Sequence, residues 1–196
     1  DFTLKCICSG LFAALGVINL AYAFLKKVKN LSFHICMALG LVFAMLGDVI
    51  IKYDFIMGAA TFALGHVIFV VAYCFISKLK AMDVMISGSI FVLGAAFLMF
   101  CPLLDFGEPI FKLVCVVYAL IISMMLGKSI GNLIKEKSIF TAVVACASFL
   151  FFFSDLMLVL DWFIGIWSWT DHACMGTYYP ALCFLAYSMI LKIKNK

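Results

Sequence analysis

The chain contains no arginine; all 14 basic residues are lysines. Bidentate phosphate and guanine contacts favour the guanidinium fork, so this absence weighs against nucleic acid as a partner. Lysine-only basicity also suits an AT-rich genome, which makes a bacterial plasma membrane the expected location over an internal eukaryotic one. Charge of either sign is scarce. Charged residues are 12% of the 196, where a soluble domain carries about 25%. Proline occurs three times and only Pro180 falls within a long apolar stretch, so the paired broken helices that build carrier sites are missing. No CxxC pair occurs among the nine cysteines, and Cys6 with Cys8 is a bare CxC. Most of the others lie in apolar runs, where a free thiol acts as a small hydrophobe rather than a redox or metal ligand. A disulfide between cysteines on the side read below as external, such as Cys101 and Cys174, stays open as an alternative.

What the chain has is apolar length. Hydrophobic residues make up 67% and the mean hydropathy is +1.23. A helix crosses the hydrocarbon with roughly 20 apolar residues, and that rule predicts spans at 4–25, 33–52, 55–77, 84–101, 110–128, 139–160 and 173–191. The fold class is therefore all-α, a polytopic transmembrane bundle forming a single domain over residues 1–196. The connections are short, so neighbouring helices run antiparallel. Because the chain starts at Asp1 without Met, an upstream segment is expected to have been trimmed. Residues 11–23 are not read as a signal peptide, since Lys26, Lys27 and Lys29 follow the apolar core instead of preceding it.

Lysine bias sets the expected orientation. Eleven lysines, among them Lys78, Lys80, Lys128, Lys135 and Lys196, fall on one side and only Lys5, Lys52 and Lys112 on the other. Positive charge stays inside, which puts the C-terminus in the cytoplasm. The outer side carries Asp54, Asp105, Glu108, Asp161 and Asp171, with Trp162, Trp167 and Trp169 suited to an interfacial belt.

Against that apolar background a few polar residues stand out. Asp48 follows LGLVFAMLG and Asp155 follows AVVACASFLFFFS. A carboxylate in hydrocarbon is expensive and normally meets a partner, a cavity or a reaction. Asp48, Asp155 and the Tyr178–Tyr179 pair lie ~7–10 Å below the outer ends of their spans, with His66 roughly 16 Å deep. Isolated polar groups in lipid would be unpaired, so convergence on one cavity is the economical expectation. Asp48 and Asp155 are the candidate acid/base pair, and His66 is the candidate orienting or relay group. Tyr178, Tyr179 and Lys52 are candidate substrate contacts. Ser154 either back-bonds to its own helix or holds the neighbouring carboxylate. Asn19 either joins two helices or lines the site. Gly127 and Gly131 form a GxxxG at a helix end, a weak dimerisation signal.

Two alternatives fail on position. His34, His66 and His172 are spread over most of the membrane thickness and do not make a tetrahedral zinc set. Span seven has no interior lysine for a retinal Schiff base, since Lys192 is already at its end. No metal or organic cofactor is expected.

Gly47-Asp48 ends one span; Gly58-x3-Phe62-x2-Gly65-His66 with Tyr73 occupies the next. Ser154-Asp155 falls late in another, and Tyr178-Tyr179-x-Ala181 in the last. In this order the residues from about 33 to 191 resemble the YhhN/TMEM86 membrane family, the lysoplasmalogenases. Members usually have eight helices, which agrees with a trimmed first segment. Leu182 stands where many members carry Gln.

The resemblance implies hydrolysis of the vinyl ether bond of a lysophospholipid, a lysoplasmalogen, to a fatty aldehyde and glycerophosphoethanolamine or glycerophosphocholine. Such cleavage passes through an oxocarbenium-like state, and two carboxyls in unequal environments serve that chemistry in glycosidases. The rival reading is a proton-coupled small-molecule or lipid transporter using an intramembrane Asp/His relay. The lipid bilayer is the other expected partner.

Overall fold

The computed structural model describes residues 2–165 and 169–194; Trp167 and Lys196 lie outside the described residues. The described residues form seven helices: α1 (Phe2–Leu25), α2 (Ser32–Ile50), α3 (Phe55–Cys74), α4 (Ala81–Phe100), α5 (Pro109–Lys135), α6 (Ile139–Phe163) and α7 (Trp169–Lys194). Each is long and apolar enough to cross a membrane. This is an integral membrane protein.

Local chemistry sets several helix ends. Asp54 caps α3, its carboxylate accepting the Met57 amide at 3.0 Å, which satisfies one of the donors a helix start leaves open. Pro109 opens α5, where its missing N–H costs nothing. Ser138 and Thr141 form a reciprocal capping box at the start of α6. Gly107 and Gly165 take positive φ in the flanking connections, a conformation a β-carbon opposes.

The helices α1, α2, α3, α5, α6 and α7 close into a ring in the order 1-2-3-5-6-7, and α2 also touches α7 across it. By contrast, α4 packs on α5 alone. Its buried residues are Asp83 and Leu98, while Val84, Met85, Val92, Leu93, Met99 and Phe100 are exposed, a surface suited to lipid. Inside the ring, Phe33, Met37, Phe69, Met125, Phe140, Phe151, Leu185 and Met189 form one continuous core. Polar residues tie the ring together. Asn19 Nδ2 donates to the Ala186 carbonyl at 2.8 Å, joining α1 to α7. His34 Nε2 donates to the Met189 carbonyl at 3.1 Å, joining α2 to α7. Tyr73 of α3 meets Ser148 of α6 at 3.0 Å.

The α2–α3 hairpin is tight enough that a side chain at Gly58 has no room. A β-carbon there would lie 2.4 Å from the Ile51 Cα, and backbone cannot yield as a flexible side chain can. Gly58→Ala is expected to destabilise the protein by about 1–3 kcal/mol through overpacking, seen as a lower unfolding temperature in detergent.

Two expectations are corrected at the lysine-rich end. Span five does not stop at 128 but runs on to Lys135, and α4 begins at Ala81 rather than 84. The added turns are polar, yet they are not a solvated margin. Lys128 Nζ, 1% exposed, donates to Asp83 Oδ2 (3.0 Å), Asn132 Oδ1 (3.0 Å), Ser77 Oγ (3.2 Å) and the Lys78 carbonyl (3.3 Å). Lys135 Nζ reaches the same carboxylate at 2.8 Å. Asp83 is fully buried, so this ionic knot locks the end of α3 and the start of α4 onto α5. The glycines follow from it. A β-carbon at Gly131 would lie 1.9 Å from Asp83 Oδ1, and one at Gly127 would meet Ser87 at 2.2 Å. The GxxxG therefore seats α4 on α5 within one chain.

The disulfide expectation also changes. All nine cysteines are free thiols, and Cys174 is buried facing Ser154.

Candidate active site

Six of the seven helices contribute to two adjoining polar sets. In the first, Asp48 of α2 is 2% exposed and Tyr178 Oη of α7 donates to its Oδ2 at 2.8 Å. Ser9 of α1 donates to the same oxygen, and Lys5 Nζ lies 3.3 Å from Oδ1. In the second, Tyr118 Oη of α5 donates to Asp155 Oδ2 of α6 at 2.7 Å. His66 Nε2 of α3 lies 2.7 Å from that hydroxyl and 3.2 Å from the same carboxylate oxygen. The other His66 nitrogen lies 3.2 Å from Met125 Sδ.

Sequence position explains why these groups face inward. Gly47 precedes Asp48 and Gly65 precedes His66, and a β-carbon at Gly47 would lie 2.8 Å from the Phe62 ring. Small residues thus let α2 and α3 approach until their polar neighbours are sealed from lipid. Pro180 interrupts the α7 backbone ladder just after Tyr178 and Tyr179, removing one amide donor from that turn.

The expectation of one shared cavity is corrected. Among the described residues no hydrogen bond joins the two carboxyls. Phe151 packs against a ring of each set, 4.7 Å from that of His66 and 5.3 Å from that of Tyr178. Each carboxyl lines its own space. Asp48 sits on a cavity of about 470 Å³ with Lys5, Lys52, Asp161, Asp171 and Tyr179 on its walls. Asp155 and Tyr118 line a narrow void of about 30 Å³, and Ile51 and Leu158 form part of both walls. Ala59, Val114 and Tyr118 line both that void and an apolar cleft of about 500 Å³ between α3 and α5. A charged chamber, a neck holding Asp155 and a hydrocarbon groove thus share wall residues in turn.

The remaining expected residues divide. Lys52 and Tyr179 line the charged chamber, and Tyr179 also stacks on Phe12 at 5.8 Å. Ser154 does neither thing expected of it. Its Oγ donates to the Cys174 carbonyl at 3.1 Å, clamping α6 to α7, because it faces the helix interface while Asp155 faces the ring. Asn19 is a helix clamp at the Ala186 carbonyl rather than a wall of the chamber. Lys5, Ser9 and Tyr118 complete the two sets and were not singled out from the sequence. Tyr118 left one usable trace, a lone phenol in the middle of an apolar span.

The YhhN family model matches residues 8–189. The chain belongs to the YhhN family. That match takes in both carboxyl sets except Lys5. No curated protein and no solved structure matches the chain. For this YhhN member the arrangement has clear chemical capacity. Two carboxyl groups, each held by hydroxyl donors and one reached by an imidazole, stand where a charged chamber meets an apolar groove.

Proposed function

We propose that this YhhN family protein is a membrane-embedded hydrolase that cleaves the vinyl ether bond of lysoplasmalogens. Family membership supports a reaction of this kind. The observation that carries the reading is the succession of chamber, neck and groove. A lysoplasmalogen is a single-chain amphiphile whose labile bond lies between headgroup and hydrocarbon. Its phosphate suits Lys5 and Lys52, and its amine suits Asp161 and Asp171 on the same walls. Its chain suits the groove that Ala60, Ala63, Leu64 and Val67 line. The bond between them then falls at Asp155, Tyr118 and His66.

The chemistry asks for a proton donor and an anion. A proton adds to the vinyl carbon not bonded to oxygen, and the positive charge passes to the oxygen-bearing carbon. Water bonds to that carbon and loses a proton, giving a hemiacetal. The hemiacetal collapses to a fatty aldehyde and the glycerophospholipid alcohol, so one water is consumed. Asp48 and Asp155 divide the acid and base duties, and a positioned carboxyl is a competent agent for each. His66 and Tyr118 orient Asp155; Tyr178 and Ser9 orient Asp48. No step calls on a metal or organic cofactor.

The test is release of aldehyde from lysoplasmalogen by the purified protein in detergent, without any ion gradient. Stoichiometric release of glycerophosphoethanolamine or glycerophosphocholine is expected beside it. A protein that releases no aldehyde, yet drives gradient-dependent flux of a small molecule or lipid in liposomes, is the proton-coupled carrier instead.

A further inference from the structure

We propose that a second void beside Asp155 is a water site, in which Ser123 positions the water that Asp155 deprotonates for attack. The inference rests on the hydrolase reading above and adds to it a site, a positioning residue and the identity of the base.

Ser123 of α5 is 1% exposed, and its Oγ has no hydrogen-bond partner among the described residues. Other serines here behave differently. Ser87, Ser89, Ser129, Ser148 and Ser188 each donate to a carbonyl three or four residues back in their own helix, the ordinary outlet for a hydroxyl in an apolar helix. A buried hydroxyl left unpaired is costly, and in native proteins ordered water usually supplies the missing partner.

The space for that water is there. Ser123, Tyr118, Cys115 and Asp155 border one void of about 60 Å³ between α4, α5 and α6. A buried water needs about 10–15 Å³ of accessible space and at least two polar partners, so the void has room. Positions 115, 118, 119, 122 and 123 share one face of α5, which turns Ser123 toward the same side as Tyr118. Tyr118 and His66 both contact Asp155 through Oδ2, so Oδ1 is the oxygen open to a water.

The assignment of duties follows. A water held by Ser123 bonds through oxygen to the oxygen-bearing carbon of the cation, and one of its protons passes to Asp155 Oδ1. Asp48 then delivers the first proton, and the charged chamber it lines gives solvent a route to replace it. The remaining occupant of the void would be hydrocarbon, which leaves Ser123 idle.

Three variants and a partition experiment decide. Ser123→Val fills the space with carbon and removes the hydroxyl, and Ser123→Thr keeps the hydroxyl. With lysoplasmalogen in detergent, Ser123→Val should lower kcat by about 10- to 100-fold, the scale of a misplaced reactant. KM and the unfolding temperature should hold, and Ser123→Thr should recover most of the rate. In added methanol, Ser123→Ala should divert product from free aldehyde to the mixed methyl acetal relative to the unsubstituted protein. That ratio needs no comparison of rates, so it decides even where Ser123→Val fails to fold. Wild-type kcat in Ser123→Val, or an unchanged acetal ratio in Ser123→Ala, overturns the water site. Asp155→Asn is assayed in parallel to separate the failures. If Asp155→Asn is inactive while Ser123→Val turns over normally, only the water site falls; full activity in Asp155→Asn removes Asp155 as the base and the water site with it, whereas the hydrolase reading falls only if the unsubstituted protein releases no aldehyde.

Discussion

Asp155→Asn and Asp48→Asn, made separately, are each expected to cut aldehyde release from lysoplasmalogen by about 10²- to 10⁴-fold, the range over which positioned acid–base groups act. The substitution preserves shape and hydrogen-bonding capacity while removing the ability to trade a proton. Tyr118 can still donate to the side-chain amide oxygen at position 155, and Tyr178 to the one at position 48, so the helix ring should assemble in both variants. The unfolding temperature in detergent is therefore expected to stay within a few degrees, and the check is turnover per folded molecule. The two losses should not multiply in the double variant, because groups acting in one proton cycle are strongly non-additive. Near wild-type release in both single variants would remove the acid/base pair altogether. A loss at Asp155 with full activity at Asp48 would confine the chemistry to the neck and leave Asp48 as a headgroup contact.

The sequence displayed the membrane bundle and the principal polar residues for the same reason. In a chain this apolar, polarity is rare enough that Asp48, Asp155 and His66 are conspicuous, and the spans between short connections are unmistakable. What could not be read was partnership. Depth places Asp48 and Asp155 at one level, but only the packing of the helices shows that they line different spaces. Tyr118 is one of seven tyrosines, and its isolation in an apolar span does not name Asp155 as its partner. Ser154 illustrates the opposite error: adjacency to Asp155 in sequence turns its side chain about 100° away on a helix, toward α7. The family resemblance was carried by residues that line or abut the two sets, Gly47-Asp48, Gly65-His66 and Tyr178-Tyr179. At the lysine-rich end, loop lysines and buried lysines look alike in one dimension, so the pairing of Lys128 and Lys135 with Asp83 was not legible.

That end carries the second large effect, on stability and not on turnover. Asp83→Ala is expected to destabilise the protein by about 3–5 kcal/mol, because breaking a buried ion pair strands the remaining charge. Lys128 is 1% exposed and would keep only neutral oxygens from Ser77, Lys78 and Asn132. Lys135 is 16% exposed and can swing its ammonium to the surface on its flexible stem, so Lys128 bears the cost. The unfolding temperature of Asp83→Ala in detergent should fall by many degrees. Replacing Lys128 by Met in the same chain should restore most of the loss, since an apolar pair of similar volume is often as stable as a buried ion pair. Lys135→Met in the same background should restore little. Turnover per folded molecule should be unchanged in every one of these variants, because Asp83, Lys128 and Lys135 line none of the spaces around Asp48 and Asp155. Equal rescue by both lysine replacements would mean that the cluster is held together by net charge. Rescue by Lys128→Met alone would mean that it is held by the desolvation of one ammonium.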